Sequence, residues 1–263
     1  MADGAFQKSI INVEEPFPHL PRAPIVEAVI DVQARATISW EEATVRPFVE
    51  RKLAGYRFLD FQREFQHEFK LEPGKSADQV LRDLGLKGVR FRSSDEKHIA
   101  QFNRDGLILS RLEPYENWAQ LVAEGQRGWS VFRELALPAE INRIGLRFIN
   151  RIKLPSGDLV FDKYIKPSPE HPVGLDLPFY GFMHQDTLAV PETPYVVRVI
   201  RTIQPPAGLP GSGAALILDI DVFTVPGFSP SEDDLVNYLS EMRWLKNKAF
   251  FGSVTETALE TFR

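Results

Sequence analysis

The sequence predicts an α+β protein: a curved, mostly antiparallel sheet packed against helices, with a long C-terminal helix closing the structure. Three observations predict this fold. Apolar and polar residues alternate in several stretches, proline and glycine separate these stretches, and an apolar stripe with helical spacing lies near the C-terminus. We expect about seven to nine strands and three main helices, arranged as a helix-grip cup or as a saddle of two related halves.

The C-terminal helix has the clearest local signals. Ser229 is the expected N-cap, Pro230 takes the first helical position, and Glu232 completes a capping box. One stripe of this helix is apolar: Leu235, Leu239, Met242, Leu245 and Ala249. Because such a stripe must be buried, the helix is predicted to cover the sheet.

Proline content divides the rest of the chain. Residues 1–24 are polar and rich in proline, which predicts an extended N-terminal arm, either laid over the domain or mobile. Residues 25–263 are predicted to form a single α+β domain. Within it, the proline-rich residues 155–194 are predicted to be a long loop or lid, with a short strand at residues 159–165.

Periodicity predicts the other elements. A capping box of Ser39 and Glu42 begins a helix, which Pro47 either kinks or delays. Residues 76–84 are predicted to be helical, and a second helix runs from Pro114 to Pro138. Asp105-Gly106 predicts a tight hairpin turn. Strands are predicted at residues 25–34, 59–71, 89–92, 99–103, 107–112, from Ile141 onward, 195–204 and 214–224, the last two joined by a turn at residues 205–213.

Composition excludes several classes of function. Cysteine is absent, which rules out disulfides, thiolate zinc sites and cysteine nucleophiles. A net charge of −5 disfavours sequence-independent nucleic-acid binding, although a local basic groove remains compatible with it. No apolar run is long enough to span a membrane, and no signal peptide is visible, so a cytoplasmic protein is expected. No motif for a cofactor or a metal is present.

Three arginines point to one side of a single predicted strand: Arg143, Arg147 and Arg151. Acidic residues alternate in the same way on other strands: Glu27 and Asp31 on the first, Asp219 and Asp221 on the last. Arginine can hold a carboxylate or a phosphate through two parallel hydrogen bonds. These residues therefore form either a solvated lattice of cross-strand ion pairs or a face that binds an anion or a partner.

Asn150 lies among apolar residues of the same strand, so its amide needs hydrogen-bond partners. It either bonds nearby backbone or contacts a ligand. The five histidines show no spacing typical of a metal site. His171 and His184 both lie in the long loop, so they are the two histidines that best fit a site.

Four stretches carry a resemblance to a known family: residues 20–29 (LPRAPIVEAV), 143–152 (RIGLRFINRI), 218–221 (LDID) and 245–251 (LKNKAFF), the last followed by Thr255 and Glu256. Together they resemble a sporadically distributed family of uncharacterised bacterial and archaeal proteins of similar length. The resemblance spans nearly the whole chain, which implies one domain, and it carries no catalytic residues. A patchy distribution implies mobile genes such as defence or toxin–antitoxin cassettes.

Three hypotheses for function follow. The first is a non-catalytic protein that recognises a protein partner or itself, as a homo-oligomer, through sheet edges and the charged face. The second is a binder of a small or lipid-like molecule in an apolar cavity between sheet and helix. The third is a metal-dependent enzyme on a phosphorylated or nucleotide substrate, using Arg147, Arg151, Asp219 and Asp221.

Overall fold

A computed structural model describes residues 11–70, 78–155, 160–175, 177, 179–204 and 214–263. The predicted turn at residues 205–213 lies outside the described residues. None of the helices among the described residues is long and apolar enough to cross a membrane.

The described strands form one antiparallel sheet of nine strands in the order β2-β3-β4-β5-β1-β6-β9-β8-β7. The strands are β1 (Ile25–Gln33), β2 (Tyr56–Lys70), β3 (Asp78–Ser93), β4 (His98–Asn103), β5 (Gly106–Leu112), β6 (Arg143–Lys153), β7 (Met183–Ala189), β8 (Tyr195–Gln204) and β9 (Ala215–Thr224). The predicted antiparallel sheet is confirmed, and so is its number of strands.

The chain order of these strands repeats. β1 leads, after a helix, into a meander whose last strand, β5, returns to pair with β1. β6 leads into a second meander whose last strand, β9, returns to pair with β6. β1 and β6 pair with each other at the centre of the sheet. This connectivity favours the predicted saddle of two related halves.

The helices are α1 (Glu42–Lys52), α2 (Trp118–Ala136), α3 (Leu235–Ser253) and α4 (Glu256–Glu260). A long helix ends each half of the repeat: α2 packs against β5 and β1, and α3 packs against β9, β6 and β8. The core lies between these helices and one face of the sheet. Alternate residues of β6 supply that face, all of them buried: Ile144, Leu146, Phe148, Asn150 and Ile152. The other face, which holds the three arginines of β6, is called here the charged face.

The long C-terminal helix is confirmed, but its predicted start was wrong. α3 begins at Leu235, so Ser229 does not cap it. Glu232 bonds α2 instead: its carboxylate lies 2.5 Å from Arg133 and accepts a hydrogen bond from the Trp129 indole at 3.3 Å. A contact between α2 and the segment before α3 therefore takes the place of the expected capping box.

The starts of the other two helices also differ from the prediction. α1 begins after Glu41, whose backbone N–H donates to Thr44 Oγ1 at 3.2 Å, and Ser39 lies outside it. The helix continues through Pro47. α2 begins four residues after Pro114, because the Asn117 side chain caps it by accepting from the Gln120 backbone N–H at 2.9 Å.

Two strands lie where none was predicted. Residues 78–84 form the first part of β3, because the ladder with β2 overrides a weak local helical signal. β7 lies inside the predicted loop and pairs along its length with β8. The strand predicted at residues 159–165 was wrong: within its described part, Phe161–Lys163 forms a single helical turn.

Candidate functional site

The charged face holds a network of ion pairs between β1, β6, β8 and β9. Arg143 of β6 lies 2.5 Å from Asp31 on one side and 3.7 Å from Asp221 on the other. Asp221 also lies 3.8 Å from Arg198. Strand pairing produces these contacts, because β6 lies between β1 and β9 in the sheet.

Arg147 binds Asp219 through two parallel hydrogen bonds, at 2.8 and 2.5 Å. This is the bidentate geometry that makes arginine a strong partner for carboxylates. The bonds to Asp219 raise the pKa of the Arg147 guanidinium further above its ordinary value. Its Nε and Nη2 thus donate to a residue of the same chain.

Burial opposes ionisation at two carboxyl groups of this network. Desolvation raises the pKa of Asp31 and of Asp221, while the neighbouring Arg143 lowers both. Asp31 also feels the negative charge of Asp221, and Asp221 feels that of Asp219. The network is therefore partly enclosed rather than a set of freely solvated surface pairs.

Three predicted site residues take no part in these ion pairs. Arg151 lies 3.4 Å from Glu113 rather than near an aspartate. Glu27 lines a shallow recess of about 330 Å³ beside Arg147, but it forms no ion pair within the described part of the chain. Asn150 points to the opposite, buried face, where its amide donates to the Leu218 carbonyl at 2.9 Å.

No three histidine, aspartate or glutamate side chains among the described residues lie close enough together to hold a metal ion. His184 Nε2 donates to Asp186 Oδ1 at 3.0 Å, whereas His171 stacks on Phe179. The structure therefore shows no donor set in its described part for the predicted metal-dependent enzyme.

A larger recess lies between the N-terminal arm, the residues before α2, and α3. Its volume is about 600 Å³. We call it the Lys246 recess. Residues 20–25 and 243–251, which overlap two of the stretches that carry the resemblance, meet here. Its polar lining side chains are His19, Tyr115, Glu116, Asn117, Arg243, Lys246 and Asn247, and its aromatic ones are Phe17, Trp118, Phe250 and Phe251.

The arm forms one wall of the recess because α3 holds it in place. Glu15 accepts hydrogen bonds from the Trp244 indole at 2.7 Å and from the Lys248 amine at 2.9 Å. Phe17 stacks on Phe251 with ring centres 5.5 Å apart. From residue 11 onward the arm is therefore laid over the domain, which was one of the two predicted alternatives.

Lys246 is the residue of the recess whose surroundings differ most from those of an ordinary exposed lysine. Its side chain is half-buried, and its Nζ lies 4.2 Å from the centre of the Phe148 ring. It forms no ion pair or hydrogen bond with any described residue. Burial, and then the positive charge of Arg243, lower the pKa of the Lys246 amine to about 7. An amine in this position can exist as a cation or as a neutral base at physiological pH.

The other charged groups of the recess leave Lys246 without a counter-ion. Glu116 is already held by Lys97 and by Arg111, each at 3.0 Å. Arg243 is exposed, lies one helical turn before Lys246 and packs over the Trp118 ring at 5.3 Å. The recess thus presents two cations that no described carboxylate neutralises.

Tyr115 adds a protonated hydroxyl to this lining. Burial raises the pKa of Tyr115 to about 12, so its hydroxyl stays protonated at neutral pH and can donate a hydrogen bond. Two cations, one hydroxyl donor and several aromatic rings together suit a ligand that combines an anionic group with an apolar body.

A second recess, of about 710 Å³, lies on the other side of residues 21–25. Arg22, Arg151 and Lys153 line it, together with Glu113. The arm is tied down between the two recesses, because the Arg151 backbone N–H donates to the Pro24 carbonyl at 2.8 Å. Arg151 therefore belongs to this recess rather than to the network around Arg147.

Lys246 and Arg243 were not among the residues singled out from the sequence. In the sequence, these two residues lie three positions apart on the predicted C-terminal helix, at the edge of its apolar stripe. This placement was the only sign that they could form a site. That position is typical of an exposed, solvated charge. Only the arm and the residues before α2 enclose it.

Comparison with known proteins does not assign the site. No protein-family model matches the chain. No curated protein matches it in sequence.

Proposed function

We propose that the protein binds a small ligand in the Lys246 recess, and that the ligand carries an anionic group next to an apolar or aromatic body. The observation that carries this proposal is the Lys246 amine, which is half-buried without a carboxylate partner in the described part of the chain. This develops the hypothesis of a small-molecule binder.

Desolvation disfavours the charged form of the Lys246 amine. A cation that loses water without gaining a counter-ion destabilises the folded protein, which is why the pKa of Lys246 lies so far below its ordinary value. A bound anion would supply the missing charge and bring Arg243 into the same contact. Unpaired, desolvated charges of this kind concentrate at functional sites.

The aromatic side chains that line the recess indicate the chemistry of the apolar part of the ligand. Trp118, Phe17 and Phe251 are only partly buried, so their rings offer apolar surface to an occupant of the recess. A volume of about 600 Å³ falls within the range of small-molecule sites. A compact aromatic carboxylate matches both the charge and the surface, so 1-naphthoate is a suitable probe.

The test is a calorimetric titration of the full chain with 1-naphthoate at pH 7. We expect binding that Lys246→Met weakens at least about tenfold, which is the loss of one charge-assisted contact. Lys87→Met is the matched control, because Lys87 is an exposed lysine outside both recesses. Equal affinity in all three proteins would contradict the proposal. Native mass spectrometry of gently purified protein would show a natural ligand as extra mass.

A second function is favoured by the charged face. Between its ion pairs this face keeps partly exposed aliphatic side chains: Val29, Ile108, Ile149, Ile200 and Ile217. Aliphatic surface interspersed with arginine is typical of protein interfaces. We propose that this face recognises another protein chain, including a second copy of this one.

Size-exclusion chromatography with light scattering tests self-association through this face. Arg147→Glu opposes Asp219 and reverses the charge at the centre of the face, so it should shift an oligomer toward monomer. Lys87→Glu changes the net charge equally and should have no effect. An oligomer unchanged by Arg147→Glu would exclude this face as its interface.

A further inference from the structure

We propose that Lys246 is a carbonyl-reactive amine, which binds anionic aromatic aldehydes covalently as a reversible imine within its recess. This inference rests on the proposed function of the recess and adds a class of ligand to it.

The Lys246 amine has different surroundings from lysines that pair with carboxylates. Two other lysines form ion pairs with carboxylates: Lys97 with Glu116 at 3.0 Å and Lys248 with Glu15 at 2.9 Å. An ion pair stabilises the protonated form, whose nitrogen has no free electron pair. Lys246 has an aromatic ring in place of a carboxylate, at 4.2 Å, and open volume beside it.

Every titratable group that lines the recess leaves this amine reactive. Arg243 on the same helix favours the neutral amine, and Glu116 is neutralised by Lys97 and Arg111. Tyr115 remains protonated, and His19 of the arm is the remaining titratable group. Because the pKa of Lys246 is about 7, about half of the amines are neutral at pH 7, against on the order of one in a thousand for an ordinary lysine.

The chemistry needs no other reactant. The nitrogen electron pair of the neutral amine attacks the aldehyde carbon, and the oxygen takes a proton to give a carbinolamine. Loss of the hydroxyl as water then forms the C=N bond, so amine plus aldehyde gives imine plus water. Bulk solvent can carry the protons. The protonated imine is again a cation, which the ring of Phe148 and the anionic group of the ligand stabilise.

The experiment treats the full chain with 4-carboxybenzaldehyde and sodium cyanoborohydride, which reduces imines to stable secondary amines, and maps the labelled peptides by mass spectrometry. We expect Lys246 to be labelled at least about tenfold faster at pH 7 than Lys87 or Lys248, following its larger neutral fraction. Its labelling rate should rise with a midpoint near pH 7, at lower pH than the labelling of the two exposed lysines. Equal labelling of all three lysines would overturn the proposal.

Two further measurements separate this inference from the proposed function. Lys246→Arg keeps the positive charge but removes the primary amine, so it should abolish the fast labelling while it retains 1-naphthoate binding. If 1-naphthoate binds the wild type but Lys246 is not selectively labelled, the recess binds anions and the imine proposal fails. If Lys246 is labelled selectively and 1-naphthoate neither binds nor protects it, the amine is reactive and the anion site fails.

Discussion

The Nζ of Lys246 on α3 lies 4.2 Å from the centre of the Phe148 ring on β6, which lies next to the middle strand of the sheet. An aromatic ring is thus the nearest favourable partner of a half-buried amine. A cation above a ring face contributes roughly 0.5–2 kcal/mol, less than a carboxylate in the same position would. The contact fixes the side chain over the sheet without satisfying its charge.

Lys246→Met is therefore expected to stabilise the protein while it removes ligand binding. The unfolded chain protonates this amine below about pH 10.4, but the folded protein does so only below about pH 7. Between these values the unfolded state binds more protons, so the free energy of unfolding of the wild type rises with pH. The stabilisation by Lys246→Met should be on the order of 4 kcal/mol at pH 6–7 and should shrink toward pH 10.

Urea denaturation at pH 6, 8 and 10 measures this difference. Lys87→Met serves as the control and should show no pH-dependent change, because Lys87 is exposed. A stabilisation by Lys246→Met that stays constant from pH 6 to pH 10 would contradict the low pKa of this amine.

Arg143→Leu should destabilise the protein far more than Arg151→Leu. Arg143 neutralises Asp31 and Asp221, which are partly buried, and without it both carboxylates lose a counter-ion. The expected cost is about 2 kcal/mol. Arg151 pairs with Glu113, whose side chain is 58% exposed, so its loss should cost less than about 1 kcal/mol. Equal midpoints in chemical denaturation would show that the network on the charged face adds no stability.

Glu15→Ala should release the arm without unfolding the domain. Both oxygens of the Glu15 carboxylate are bonded, one to Trp244 and one to Lys248. Hydrogen–deuterium exchange of residues 11–24 should increase, while exchange in α3 stays slow. Glu14→Ala is the matched control, because the adjacent Glu14 side chain is exposed. Unchanged exchange in the Glu15 variant would mean that other contacts hold the arm.

Acid should release the arm in the same way. The hydrogen bond from Lys248, and then that from Trp244, lower the pKa of Glu15. A depressed pKa means that the carboxylate supports the folded arm above its unfolded pKa, and that this support is lost as the pH falls through the folded value. Exchange of residues 11–24 should therefore rise only below about pH 4, before the sheet unfolds.

Asn150→Asp should be severely destabilising, which would identify Asn150 as a structural residue. Its amide donates to the Leu218 carbonyl inside the core, and an ionised carboxylate there would face oxygen instead of a donor. We expect a loss of about 3 kcal/mol or more, compared with about 1–2 kcal/mol for Asn150→Leu. Thermal denaturation measures both. A similar small loss in both variants would point back to the alternative of a ligand contact.

The alternation of apolar and polar residues predicts much of this fold, because this pattern depends on only a few neighbouring residues. Alternation along β6 separates Arg143, Arg147 and Arg151 from the buried side chains whatever the neighbouring strands are. The same holds for Asp31 on β1 and Asp219 on β9. Prediction failed at β7 and at the start of β3, where weak local signals are overridden by pairing with β8 and β2.

The partners of the charged residues depended on the order and register of the strands. Opposite charges on separate strands were predicted, but β6 had to pair with both β1 and β9 before Arg143 could reach Asp31 and Asp221. The repeat of two meanders also follows from this order. The two halves share no recognisable sequence repeat. Topology determines which face of each strand must be apolar, but many different apolar residues can fill that face.

The sequence by itself determined most of the strands and helices and which side of each is apolar, since these depend on neighbours within a few positions. Only the tertiary structure decided that Lys246 is a candidate site residue. Its setting combines Phe17 of the arm, Tyr115 before α2, Phe148 of β6 and Arg243 of α3. These residues are far apart in the chain, so the desolvation that sets the chemistry of Lys246 arises only when they pack together.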